Sequence, residues 1–196
     1  MQFLKQQSYN IVRLIVFQVG ISIFSLVITF AMNMALSNRP EALNPTLLAV
    51  SAFSLCFYLV LIYSMLWEQG TKDKIRIESG RMTEDKKYGF KIALFAAIPN
   101  FIIAFLLALG YLFCSIGPFG GLAIEELAGN LYTVIFFVAY FFEAMLQGFI
   151  INFATDSTRY VIVLIYFIAP VIPILISGLA YRFGLREKRL LFFFKK

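Results

Sequence analysis

Leu131 to Phe153 reads LYTVIFFVAYFFEAMLQGFIINF, an apolar run broken by a single carboxylate, Glu143, near its middle. About 20 apolar residues suffice to cross the hydrocarbon of a bilayer, so a run of this length crosses a membrane or dips into one. A carboxylate at that depth costs on the order of 2 to 3 kcal/mol by insertion scales, and so requires a partner or a function.

Outward from this stretch the chain repeats the pattern. Apolar runs over about 13–36, 46–67, 92–114 and 160–180 join 131–153 to make five membrane segments. The expected fold is therefore all-α, a polytopic transmembrane helix bundle in one membrane domain. Composition agrees: 61% of residues are hydrophobic and 14% charged, whereas about a quarter are charged in a soluble domain. The net charge of +6 is spread beside the apolar runs. Nucleic acid is thus not the expected partner, and anionic lipid head groups are. The first run has a basic lead-in but continues to about Leu36, longer than a cleavable signal core of about 7 to 15 residues, so an uncleaved first span is expected. Trp67 closes the second run at the level suited to an amphipathic ring.

Between the second and third runs lies the most polar part of the chain, residues 68–91, with seven Lys or Arg and five acidic side chains. It is expected to be a cytoplasmic solvated loop, with a small hairpin around Ile75 and Ile77 as the alternative. The segment after the third run, SIGPFGGLAIEELAGN, holds four glycines and no basic residue, and reads as a flexible loop on the less positive side. The tail 181–196 carries Arg182, Arg186, Lys188, Arg189, Lys195 and Lys196 around a Leu190–Phe194 apolar block, and is expected to anchor in the interface.

Charge and length pull the topology in different directions. Five plain crossings from a cytoplasmic N-terminus divide the basic residues ten inside to seven outside, whereas a re-entrant fourth segment divides them fifteen to two. The positive-inside rule therefore favours re-entry, with a bend at Gln147-Gly148. Length is the more direct constraint and favours a plain crossing.

Absences settle much of the enzyme question. The chain has no histidine, which excludes Ser-His-Asp triads, His-ligated zinc or haem, and H-E-x-x-H helices. Glu125-Glu126 is similar to the acidic pair of prenyl-protease-like membrane enzymes, but the histidines those sites use are missing. The aspartates Asp73, Asp85 and Asp156 all read as loop residues, and no phosphate-binding loop is present. Cys56 and Cys114 have no CxxC spacing and read as packing residues. No enzyme, metal site or cofactor is expected.

What remains is a polar group within the apolar runs: Glu143 and Gln147, one helical turn apart, with Pro99, Asn100, Pro170 and Pro173 on other segments. No run has an interior Lys or Arg, so Glu143 is either uncharged or binds a cation or a basic group of another subunit. Proline-broken helices facing a mid-membrane carboxylate resemble the ion sites of secondary transporters, which suggests a small transporter or permease-type subunit. The plainer alternative is a protonated glutamic acid hydrogen-bonded to Gln147 or Asn100 that fixes helix packing. In that case the chain is a non-transporting accessory protein that stabilises a partner, either a second membrane subunit or another copy.

The stretch Gly70–Phe101, GTKDKIRIESGRMTEDKKYGFKIALFAAIPNF, with AYRFGLREKRL over Ala180–Leu190, resembles small, uncharacterised polytopic membrane proteins of Gram-positive bacteria. The resemblance implies a bacterial cell membrane and a multi-pass chain, and carries no activity or catalytic residue.

Overall fold

The computed structural model describes residues 2–116, 122–154 and 160–188, with side chains over 7–112, 129–154 and 160–188. All regular structure among them is helical: α1 (Gln2–Ala35), α2 (Pro40–Glu78), α3 (Tyr88–Ile116), α4 (Leu122–Phe142), a 3₁₀ turn (Ala144–Leu146), α5 (Gln147–Phe153), α6 (Tyr160–Ile168) and α7 (Val171–Leu185). Four helical segments are long and apolar enough to cross a membrane: Gln7–Ala35, Pro40–Glu78, Tyr88–Leu112 and Tyr160–Leu185. The fifth segment is not one rod. Its two parts, Gly129–Phe142 and Ala144–Phe153, meet at 86°.

The segment ends differ from the hydropathy boundaries. Helix α2 runs to Glu78 through half of the expected 68–91 loop, so neither a loop nor a hairpin forms at Ile75 and Ile77. Residues with good helix propensity carry it on, supported by i,i+4 pairs at Glu68–Lys72 (2.6 Å) and Lys74–Glu78 (3.5 Å). At 1.5 Å per residue its 39 residues span about 58 Å, well beyond the roughly 30 Å of hydrocarbon. The helix stops at Gly80, which takes the left-handed conformation (φ 71) while Gly80 N–H donates to Ile77 O and Arg81 N–H to Arg76 O. The segment expected as a glycine-rich loop is largely taken up by α4, which begins at Leu122. Pro170 lies in the turn between α6 and α7, and Pro173 occupies the first turn of α7, where a missing N–H costs no helical bond. Tail residues Arg189, Lys195 and Lys196 and the Leu190–Phe194 block lie outside the described residues, as does Asp156.

The chain divides into two compact units. One comprises the residues up to Phe17, Tyr58–Ala97, and those from Val171 onward; the other comprises Gln18–Phe57 and Ile98–Pro170.

In the first unit the backbones of α2 and α7 touch. A Cβ added to Gly70 would overlap the Tyr181 carbonyl and lie 3.1 Å from Gly184 Cα, and one added to Gly184 would overlap the Trp67 carbonyl. Small residues permit this approach where no water-driven burial holds helices together. Ser177, Gly178, Ala180, Tyr181 and Gly184 form the buried face of α7. Near the chain start, Tyr88 Oη donates to Gln7 Oε1, and Asn10 Nδ2 donates to Tyr88 Oη at 3.2 Å. After α7, Trp67 Nε1 donates to Lys188 O at 2.9 Å and Lys74 pairs with Glu187 at 2.9 Å. The N-terminal segment, the flanks of the polar connection and the start of the tail thus gather in one unit. Glu187 closes α7 in the left-handed conformation (φ 55), its N–H donating to Gly184 O and Lys188 N–H to Phe183 O.

Asp85 starts α3. Its Oδ1 accepts from Lys87 N–H at 2.9 Å and its Oδ2 pairs with Lys91 Nζ at 2.6 Å. Partial burial pushes the carboxyl up, but the Lys91 ammonium and the Lys87 N–H outweigh it and hold Asp85 below the usual carboxylate range.

Candidate functional site

The break in the fifth segment creates the site, and it lies wholly in the second unit. The chain leaves α4 at Glu143 (φ −125, ψ 38) and makes one 3₁₀ turn, with Leu146 N–H donating to Glu143 O at 2.9 Å, before α5 begins at Gln147. Irregular backbone at membrane depth is tolerated only where protein satisfies its polar groups, because each unsatisfied group in hydrocarbon costs several kcal/mol. Serines supply that satisfaction here. Ser22 Oγ of α1 donates to Phe142 O at 2.7 Å and Ser25 Oγ to Ala144 O at 3.4 Å.

Helix α5 is held as tightly from α2. Gly148 N–H donates to Ser51 Oγ at 2.7 Å, and Asn152 Nδ2 donates to Asn44 O at 3.0 Å and to Gly148 O at 2.7 Å. A Cβ on Gly148 would overlap the Leu47 carbonyl. The bend therefore sits four residues before the Gln147-Gly148 step where the sequence suggested it. Glycine at 148 serves close approach to α2, and the turning is done at Glu143. For the same reason Glu143 and Gln147 do not share the face of one helix.

They do remain neighbours. Glu143 and Gln147 are 2% and 3% exposed, and Tyr166 of α6 is 1% exposed. The Tyr166 hydroxyl lies within electrostatic reach of the Glu143 carboxyl and beside the Gln147 amide, yet outside hydrogen-bond geometry with either. Glu143 Oε2, Gln147 Nε2 and Tyr166 Oη all lack a hydrogen-bond partner. No described Lys or Arg forms an ion pair with Glu143. Such orphaned atoms are expensive in a low-dielectric interior, and Glu143 Oε2 is an acceptor that a proton or cation would satisfy.

No protein-family model, curated protein or solved structure matches this chain.

Of the other sequence candidates, Asn100 (6% exposed, Oδ1 unpaired), Pro99 and the fully buried Pro170 share this unit, while Pro173 belongs to the first. Among the anchoring candidates, Arg182 lies over the Phe90 ring and Lys188 contributes its carbonyl to Trp67; Arg186 is exposed.

Two sets of residues escaped the sequence reading. The first is a buried polar stripe on α1, Gln18, Ser22, Ser25 and Thr29, 5% exposed or less, with Ser51 and Ser54 of α2. Its 4-3-4 spacing was available as a signal, since it puts all four on one helix face. The second is Asp73, which reads as a loop residue but is 1% exposed on α2. Its carboxylate accepts from Gln69 Nε2 (3.1 and 3.2 Å), Tyr181 Oη (3.1 Å) and Arg76 Nη1 (3.3 Å). With every partner in place, Asp73 is a structural clasp of the first unit.

Proposed function

We propose that this integral membrane protein is a small permease-type subunit in which Glu143 accepts a proton or monovalent cation at the break between α4 and α5. The observation that carries the reading is the bare Oε2 of a fully buried carboxyl. A glutamic acid kept only for packing would be hydrogen-bonded to Gln147 or Asn100. Instead Gln147 Nε2 and Asn100 Oδ1 are themselves unpaired. The site turns over no covalent bond in this reading, and its cargo is a proton or ion, with any linked solute passing beside it.

The same reading makes the α4–α5 pair re-entrant, leaving four crossings with the N-terminus, the polar connection and the tail all on the cytoplasmic face of a cell membrane. Support comes from the 86° bend, from the gathering of those three regions in one unit, and from the fifteen-to-two distribution of basic residues that results.

A second reading, an accessory protein that holds a membrane partner or another copy, is favoured by one feature. Phe24, Phe53 and Phe57 cluster with ring centroids 6.1–6.5 Å apart while 41–58% exposed.

Flux separates the two. Purified protein in vesicles with an internal pH dye, driven by a potassium diffusion potential with and without a sodium gradient, is expected to move protons or sodium. Glu143→Gln, nearly isosteric, is expected to lower that flux at least tenfold while the protein elutes as a folded species. Equal flux from both proteins removes Glu143 from the mechanism. No flux from either, with a stoichiometric membrane protein co-purifying, establishes the accessory reading instead.

A further inference from the structure

The first unit carries an arginine whose surroundings describe a ligand. Arg182 is exposed in the last turn of α7. Its Nε donates to Lys86 O at 3.3 Å, and its guanidinium carbon lies 5.2 Å from the centre of the Phe90 ring. Phe90 is itself fixed, seated so closely on α7 that a Cβ on Gly178 would overlap the ring. The guanidinium is thus held by its inner nitrogen and by stacking, which leaves its two terminal nitrogens to form the planar fork that matches phosphate. Among the described residues no carboxylate lies within ion-pair distance of it. Lys86 and Lys87 precede α3 and are both exposed, Lys86 at 3.9 Å from the Glu84 carboxylate. One and two turns back along α7, and one turn on along α3, the exposed side chains are apolar: Leu179 (46%), Leu175 (52%) and Leu94 (52%).

We infer that α3 and α7 hold one anionic phospholipid, its phosphate on the Arg182 fork and its acyl chains along Leu179, Leu175 and Leu94. The seven residues from Arg182 to Leu175 amount to about 10 Å of helix, enough to lead a chain from head-group level into hydrocarbon. A charged head above an apolar strip of that length has the form of a phospholipid. An acidic protein segment would leave the leucines bare. This inference is independent of the reading of Glu143.

Native mass spectrometry in a mild detergent tests it, with phosphatidylglycerol and phosphatidylcholine of identical acyl chains as probes. The wild-type protein is expected to retain one phosphatidylglycerol in preference to phosphatidylcholine. Arg182→Gln lowers that retention about tenfold or more, Arg182→Lys lowers it less, and Arg81→Gln, an equal change of charge at an exposed arginine in the connection between α2 and α3, leaves it unchanged. Elution volume and helical circular dichroism confirm that each variant is folded. Phe90→Leu, which removes the stacking surface but no charge, is expected to weaken retention severalfold. The inference is overturned by unchanged retention in Arg182→Gln, by equal losses in Arg182→Gln and Arg81→Gln, by equal retention of phosphatidylcholine, or by competition from free glycerol phosphate at concentrations comparable to the lipid.

Discussion

Adding one methyl group at Gly148 should disrupt the bent segment that presents Glu143. In Gly148→Ala the new Cβ overlaps the Leu47 carbonyl and lies 2.7 Å from Ser51 Oγ. The hydroxyl can rotate away, but the carbonyl belongs to the helical backbone of α2 and cannot, so α5 must shift. Overpacking of this kind costs about 1 to 3 kcal/mol. The shift also lengthens the 2.7 Å bond from Gly148 N–H to Ser51 Oγ, worth about 1 kcal/mol. Together these give about 2 to 4 kcal/mol, a factor of roughly 30 to 1000 in the folded population. Gly20→Ala is the control, because a Cβ there meets nothing within 4 Å and should gain about 0.5 to 1 kcal/mol of helix propensity. Thermal or denaturant unfolding in the same detergent compares them. Combining Gly148→Ala with Ser51→Gly should restore little, since the clash with Leu47 persists. Equal stability of Gly148→Ala and Gly20→Ala, or full rescue by Ser51→Gly, would refute the close contact on which the position of α5 depends.

Three further outcomes follow from the first unit. Arg76→Ala leaves the buried Asp73 carboxylate without its cation and should cost about 2 to 3 kcal/mol, discounted from the usual buried pair because Arg76 is 60% exposed; adding Asp73→Asn should recover part of that loss, and a double variant less stable than Arg76→Ala would contradict the clasp. Asp85 is held below its usual range, so its contribution is present above its unfolded value of about 4 and is lost as pH falls through the lower folded value. Asp85→Asn should therefore narrow its stability gap to wild type below about pH 4, and a gap constant down to pH 2 would count against the Lys91 pair. Glu187→Gly removes a left-handed non-glycine residue worth roughly 1 kcal/mol of strain while giving up a surface pair with Lys74, so unfolding should show a net gain, whereas Glu187→Ala, which keeps the strain and loses the pair, should show a loss.

Hydropathy made the membrane segments legible because lipid solvation demands some 20 apolar residues in a row, and the runs at 13–36, 46–67, 92–114 and 160–180 each overlap one of the four segments long and apolar enough to cross a membrane. It misplaced the ends of α2 and α4 because helix ends are set by hydrogen bonding and capping, such as the turn at Gly80, and a polar helix scores like a loop. Glu143 was legible as an isolated charge. Its break was not, since Glu143 carries no helix-breaking signature and the kink depends on Ser22 and Ser25, more than 110 residues away in sequence. Asp73 was hidden for a similar reason, because the side chain that caps its burial, Tyr181, comes from the other end of the chain.

Trp67, whose indole N–H is bonded to the Lys188 carbonyl, is the single tryptophan in the chain. The protein thus contains its own fluorophore at the point where the tail meets α2. Any event that lifts the tail exchanges that carbonyl for water around the excited indole, and emission should move to longer wavelength without a label being attached.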